Sequence, residues 1–140
     1  MTTAIVAIAA AAGLAAIAGW LFTRRSGDVR ETKPGSSVPV GPDTADLGLS
    51  GTGPTIVHFS AAWCGPCGRV RRVVDEVCGD LGDVAHVEID MDANPEAARN
   101  FSVLSLPTTL IFDANGRQRY RSAGVPKAAD LRSALTPLLA

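Results

Sequence analysis

The sequence predicts an α/β domain, a mixed β-sheet flanked by helices, preceded by one N-terminal transmembrane helix. Three observations carry this prediction. Nineteen consecutive uncharged residues occupy positions 4–22. From Pro54 onward, short β-branched runs alternate with amphipathic helical stripes. Between the first such run and the first such stripe stands "FSAAWCGPCGRV", residues 59–70, with two of the chain's three cysteines three positions apart. A length of 140 residues with 46% hydrophobic content leaves room for one ordinary domain beyond the apolar run. A net charge of −1 supplies no basic surface of the kind nucleic acid requires, so no nucleic-acid partner is expected.

The apolar run, "AIVAIAAAAGLAAIAGWLF", would span about 28 Å as a helix, close to the roughly 30 Å of a bilayer core. Insertion leans on Ile5, Val6, Ile8, Leu14, Ile17, Leu21 and Phe22, with Trp20 near one interface. A secretory signal would open on positive residues and have a shorter apolar core. This chain opens "MTTA" and keeps Arg24 and Arg25 for the far end. The expectation is a single-pass cell-membrane anchor over residues 1–23, with a cleaved signal peptide and a buried soluble helix as competing readings. Because basic flanks stay in the cytoplasm, the rest of the chain is expected on the cytoplasmic face.

Residues 24–53 are rich in Gly, Pro, Ser, Thr and Asp without a sustained apolar period, which reads as a flexible tether. One short edge strand could form in "ADLGLS", residues 45–50. The domain itself is expected over residues 54–140. "TIVHFS" is a buried strand bounded by Gly-Pro and the cysteine loop. In "CGRVRRVVDEVCGD", Val70, Val73, Val74 and Val77 make one helical stripe, with Gly79 able to end the helix. "VAHVEID" is a second strand, "NPEAARNF" a short helix with Pro95 in its first turn, and "PTTLIF" a third strand. "DANG" turns the chain into "RQRYRS", and a last helix fills about residues 127–139, disturbed by Pro137. A crossover unit joined to a terminal hairpin implies a mixed sheet between helices.

The close cysteine pair admits three readings. Zinc needs four ligands, and Cys78 lies about three turns along the helix from Cys67, too far to share one metal with it. A purely structural disulfide across so short a loop would remove little chain entropy. The redox reading accounts for every residue of the motif. With Cys64 at the N-terminus of the helix, amide groups and the helix dipole favour its thiolate. Gly65 lets the backbone bend, Pro66 stiffens the turn, and Cys67, one turn on, can attack a mixed disulfide formed at Cys64. Trp63 reads either as an aromatic wall beside the exposed sulfur or as core. No metal and no cofactor is expected.

"FSAAWCGPC" together with "SVLSLPTTLIFDANG" resembles the thioredoxin family over about residues 54–140. The resemblance implies a thioredoxin-like fold, with Pro107 as the family's cis-proline opposite the cysteines. It further implies that the Leu106 backbone pairs with an extended substrate, that Gly124 lines the same groove, and that Phe59 is core. Two positions depart from the family: His58 stands where a buried aspartate usually helps move the proton of the second cysteine, and Ser60 where an aromatic is common. Space for the family's full N-terminal strand and helix is also missing. His58 therefore reads as a proton carrier in place of that carboxylate, or as a hydrogen-bonded core histidine. His86 reads as an ordinary strand residue, and Cys78 as a half-buried thiol.

The resulting expectation is a membrane-tethered thiol–disulfide oxidoreductase that reduces protein disulfides through Cys64 and Cys67. Its partners would be disulfide-containing proteins and an electron donor resembling thioredoxin reductase or seated in the membrane. Two alternatives remain at the level of sequence. One is an extracytoplasmic protein that reduces or oxidises exported proteins. The other is a peptide-binding module that uses the cis-proline groove.

Overall fold

Helix α1, Thr2–Arg24, opens the chain of this computed structural model, which describes residues 2–24, 26–32, 44 and 47–140. Its segment Val6–Thr23 has a mean hydropathy of 2.0, and none of it is buried among the described residues. An exposed helix of that length and composition suggests a membrane anchor or a signal sequence. Among the described residues, none covers it as a protein core would.

Five strands form one sheet in the order β1-β5-β4-β2-β3. They are β1 (Arg30–Glu31), β2 (Thr55–Ser60), β3 (Ala85–Asp90), β4 (Thr108–Phe112) and β5 (Gln118–Ala123). The β2–β3 pair is parallel, as its helical crossover requires, and the other pairs are antiparallel. Helices α2 (Cys67–Leu81), α3 (Pro95–Asn100) and α4 (Ala128–Leu135) complete the domain.

Side-chain alternation along β2 builds a core on each face of the sheet. Val57 and Phe59 join Leu110, Phe112, Ala98 and Phe101 on the α3 side, where the Phe101 and Phe112 rings meet edge to face at 5.8 Å. Ile56 joins Ile111, Val70, Val74 and Val77 of α2 and Leu131 and Leu135 of α4 on the other side. The predicted valine stripe thus faces the sheet, with Val73 packed at its margin.

Three boundaries differ from the sequence expectation. The strand expected in "ADLGLS" does not form in its described part: Leu47 and Gly48 make a turn, while residues 45 and 46 lie outside the described residues. Leu47 is instead sunk in the α3-side core with Leu49 packed against that core, and Gly48, at φ +68°, breaks the extended run between them. The edge position belongs to β1, inside the stretch expected to act as a tether. Helix α2 runs past Gly79 to Gly82, where φ +77° and an N–H donated to the Cys78 carbonyl at 3.0 Å end it. The last helix stops at Leu135 and tightens into a 3-10 turn, Thr136–Leu138, around Pro137, which lacks a donor.

Candidate active site

Strand β2 delivers the chain to the C-terminal edge of the sheet, where the segment after Ser60 turns into α2. Cys64 and Cys67 form a disulfide there, with Cα atoms 5.5 Å apart. The helix begins at Cys67 with Pro66 as its N-cap, so Cys64 sits in the turn that leads into its N-terminus. The turn is closed by the Cys67 N–H, which donates to the Cys64 carbonyl at 3.3 Å. Accessibility separates the two sulfur-bearing residues: Cys67 is 3% exposed, whereas Cys64 is half-buried. Gly65 is exposed, and Pro66 is half-buried.

Trp63 is 65% exposed, which places it outside the core, and its ring N–H donates to Asp92 Oδ2 at 2.9 Å. The Leu106–Pro107 bond is cis, and Pro107 is buried immediately before Thr108. Thr108 pairs with Phe59, whose carbonyl lies 4.0 Å from Cys67 Sγ. Gly124 donates its N–H to the Pro107 carbonyl at 2.9 Å. Cys67, Phe59, Pro107 and Gly124 are thereby linked along one end of the sheet. Arg121 steadies the loop leading to Pro107, donating to the carbonyls of Phe101 and Ser102 at 2.7 and 2.6 Å.

His58 is fully buried on the α2 side of β2, next to the residue whose carbonyl meets Cys67. Its Nδ1 lies 2.8 Å from His86 Nε2, and His86 Nδ1 lies 2.9 Å from Asp75 Oδ1. On the other side of the ring, His58 Nε2 stands 3.5 Å from Glu88 Oε1 and has no hydrogen-bond partner among the described residues. Glu88 is held by Arg71 through two bonds of 2.8 and 2.6 Å and by the Ser60 hydroxyl at 2.7 Å. Ser60, one of the two departures from the family pattern, thus helps Arg71 fix this carboxylate.

The donors in this relay depend on the tautomers: in the arrangement where His86 Nδ1–H donates to Asp75 and His86 Nε2 accepts from His58 Nδ1–H, His58 Nε2 is left with a free lone pair. Burial is the main influence on His58 and lowers it to about 4, outweighing the opposing pull of Glu88. The ring is neutral at pH 7, and its approach to Glu88 is not an ion pair. Glu88 itself is lowered to about 2, chiefly by the Arg71 hydrogen bond.

Because Glu88 is depressed in the fold, its stabilisation is complete above its unfolded value of about 4.5 and is lost as pH falls towards about 2. Glu88→Gln is expected to flatten the acid side of the stability profile across that window. Urea unfolding at a series of pH values checks it, and an unchanged slope would show that Arg71 contributes nothing through Glu88.

Sequence reasoning missed the roles of His86, Asp75, Glu88, Arg71 and Asp92. Glu88 and His86 alternate on one face of β3, which a period-two reading could have paired with His58, but only strand register brings them together. Cys78 is half-buried, with burial the main cause raising its thiol to about 11. It therefore stays protonated and unreactive. Cys78→Ser is expected to leave the rate of disulfide reduction within about twofold of the parent, measured on a protein disulfide.

The sequence matches the family model for thioredoxin over residues 47–137. A thioredoxin of Mycolicibacterium smegmatis is 40% identical over 87 residues, covering 60% of this chain and 78% of that protein. A thioredoxin of Mycobacterium tuberculosis is 43% identical over 86 residues, covering 60% and 73%. Among solved structures, chloroplastic thioredoxin z superposes with a TM-score of 0.59 at 28% identity, over 71% of this chain and 90% of that one.

Proposed function

This chain belongs to the thioredoxin family, a thiol–disulfide oxidoreductase whose active-site disulfide is Cys64–Cys67, and on that premise we propose that Cys64 attacks protein disulfides and Cys67 resolves the intermediate. The observation carrying this assignment is the contrast between a half-buried Cys64 and a Cys67 only 3% exposed. The Cys64 thiolate bonds to one substrate sulfur and expels the other as a thiolate. Cys67 then gives up its proton and bonds to Cys64 Sγ, expelling the second substrate sulfur. Two electrons pass to the substrate, and the protein is left with the Cys64–Cys67 disulfide. Family membership implies disulfide substrates and a reductase donor that returns the two electrons.

Trp63, Gly65, Pro66, Leu106, Pro107 and Gly124 form the substrate groove in this reading, with an extended substrate segment lying beside the Leu106 backbone. His58 Nε2 is the proton acceptor for Cys67. Residues 1–23 anchor the protein as a single membrane span, and Arg24 and Arg25 favour a cytoplasmic domain. Within the stretch 24–53, β1 joins the sheet, so the link between anchor and domain is the short run before Gly27.

The test is reduction of a two-chain protein disulfide by the full chain in detergent, with dithiothreitol as electron source. Acceleration over dithiothreitol alone, absent in Cys64→Ser, supports the reading; no acceleration removes it. Protection of a C-terminal reporter from protease added to intact cells tests the cytoplasmic placement.

A further inference from the structure

The short strand β1 ties the membrane helix to the same end of the sheet that carries the disulfide. It pairs antiparallel with β5, Arg30 opposite Arg121 and Glu31 opposite Tyr120. Moving back from Arg30 towards the membrane helix therefore moves along β5 towards Ala123 and Gly124. The Gly27 N–H donates to the Ala123 carbonyl at 2.5 Å, and the Thr32 N–H donates to the Arg119 carbonyl at 2.8 Å. Gln118 reaches the Thr32 hydroxyl at 3.1 Å, and Val29 packs on the α2-side core.

Contact at the Gly124 end is close enough to dictate residue type. Gly27 is buried with φ +96°, and a Cβ on it would stand 2.1 Å from the Val125 carbonyl oxygen. A Cβ on Gly124 would stand 3.1 Å from the Gly27 nitrogen. Gly124 in turn donates to Pro107. An unbroken series of backbone contacts thus joins Gly27 to the groove beside the disulfide. Helix α1 ends at Arg24, leaving only Arg25 and Ser26 before that tie. Three Cα steps span at most about 11 Å.

We propose that this tie holds the substrate groove at the lipid headgroup layer, so that the preferred substrates are disulfides in the membrane-proximal segments of membrane proteins. The proposal rests on the reductase and membrane-anchor readings above. A bilayer of about 40–45 Å around a core of about 30 Å has headgroup layers of about 5–8 Å, comparable with the reach from the helix end. A disulfide in a segment emerging beside α1 is therefore already at the height of Cys64 and gains in effective concentration. A disulfide carried far from the bilayer gains nothing from the anchor. Exposed Trp63 and the 94% exposed Leu104, in the loop leading to Pro107, give that end of the domain an apolar rim suited to the interface.

The chain has two tryptophans, so Trp20→Phe leaves Trp63, beside Cys64, as the sole tryptophan, excited selectively at the red edge of its absorption, where Tyr120 does not absorb. In vesicles whose phosphatidylcholine carries a headgroup nitroxide, Trp63 emission is expected to be quenched. Inserting about 20 Gly/Ser residues between Arg25 and Ser26 leaves every contact of the tie in place but lengthens the leash by roughly 25 Å, and quenching is expected to be lost. In parallel, both full-length proteins are given dithiothreitol and peptides anchored by one span, with a disulfide about 4 or about 24 residues from the bilayer. The parent is expected to reduce the near disulfide about tenfold faster than the far one, and the spacer variant to reduce both at similar rates. Equal near and far rates in the parent, or Trp63 quenching indifferent to the spacer, overturns the proposal. If neither anchored peptide nor a free disulfide is reduced, the reductase reading has failed and the substrate class falls with it. A reduced free disulfide with no near–far difference isolates the failure to this inference.

Discussion

Replacing Cys67 with Ser is expected to turn a turnover catalyst into a trap. Cys64 can still attack a substrate disulfide, but no second thiol remains to displace the mixed disulfide, so one substrate stays bound per protein. Multiple turnover is lost, and the adduct survives non-reducing electrophoresis and maps by mass spectrometry to Cys64. Cys64→Ser is expected to lose both turnover and adduct, because the remaining Cys67 is 3% exposed at the first helical position, behind the turn that carries Cys64. Attack requires a thiolate within reach of an incoming sulfur, and reach is what Cys67 lacks. Adducts on Cys67 in the Cys64→Ser protein would falsify the assignment of roles. Peptides recovered from the Cys67→Ser adduct also identify substrates directly, and their distance from a membrane span bears on whether the groove works at the bilayer.

Features legible in the sequence were those written within a few residues. "TIVHFS" lies in a strand because four β-branched or aromatic residues fall between Gly-Pro and the cysteine loop, and β2 occupies those same six residues. The Val70, Val74 and Val77 stripe fixes which side of α2 meets the sheet for the same local reason. What was not legible depends on partners distant in the chain. "RE" at residues 30–31 has no apolar signature and is exposed; it is a strand only because Arg121 and Tyr120 offer free backbone groups at the sheet edge. Gly79 and Gly82 are equally plausible stops by composition, and the choice follows from Leu81 packing on the core, which carries the helix one turn further. The candidate site divides in the same way. The Trp63–Cys67 motif is contiguous and visible, whereas the Asp92 partner of Trp63 is 29 residues away and the His86 partner of His58 is 28 away. Neither had a local signal.

His58→Ala is expected to slow resolution by Cys67 by about 100-fold near neutral pH, the lower end of what a positioned general base contributes, while leaving attack by Cys64 far less affected. The physical basis is the arrangement of protons around the ring. In the tautomer where His58 Nδ1 donates to His86 and His86 Nδ1 donates to Asp75, Nε2 is the ring position open to a proton, with Glu88 3.5 Å away to stabilise the imidazolium that forms. Desolvation keeps the ring neutral before the reaction, and the charge is transient. His86 and Asp75 then act as positioning residues: His86→Ala is expected to remove the bond that fixes the His58 tautomer and so to impair the same step, whereas His86→Gln can retain an acceptor for Nδ1 and rescue part of the rate. His58→Asp is expected to restore part of the rate by a different group. Stability supplies an independent check of the buried neutral ring. Its folded value of about 4 lies below the unfolded 6.5, so the stability it contributes is present above pH 6.5 and is lost as pH falls from there through about 4. Removing the ring is expected to flatten the unfolding free energy across that window while also costing a cavity. Stopped-flow decay of a preformed Cys64 mixed disulfide in a folded His58→Ala protein decides the matter. Decay at the parent rate from about pH 6 to 8, spanning the unperturbed imidazole, reduces His58 to a core residue whose hydrogen bonds serve only the fold.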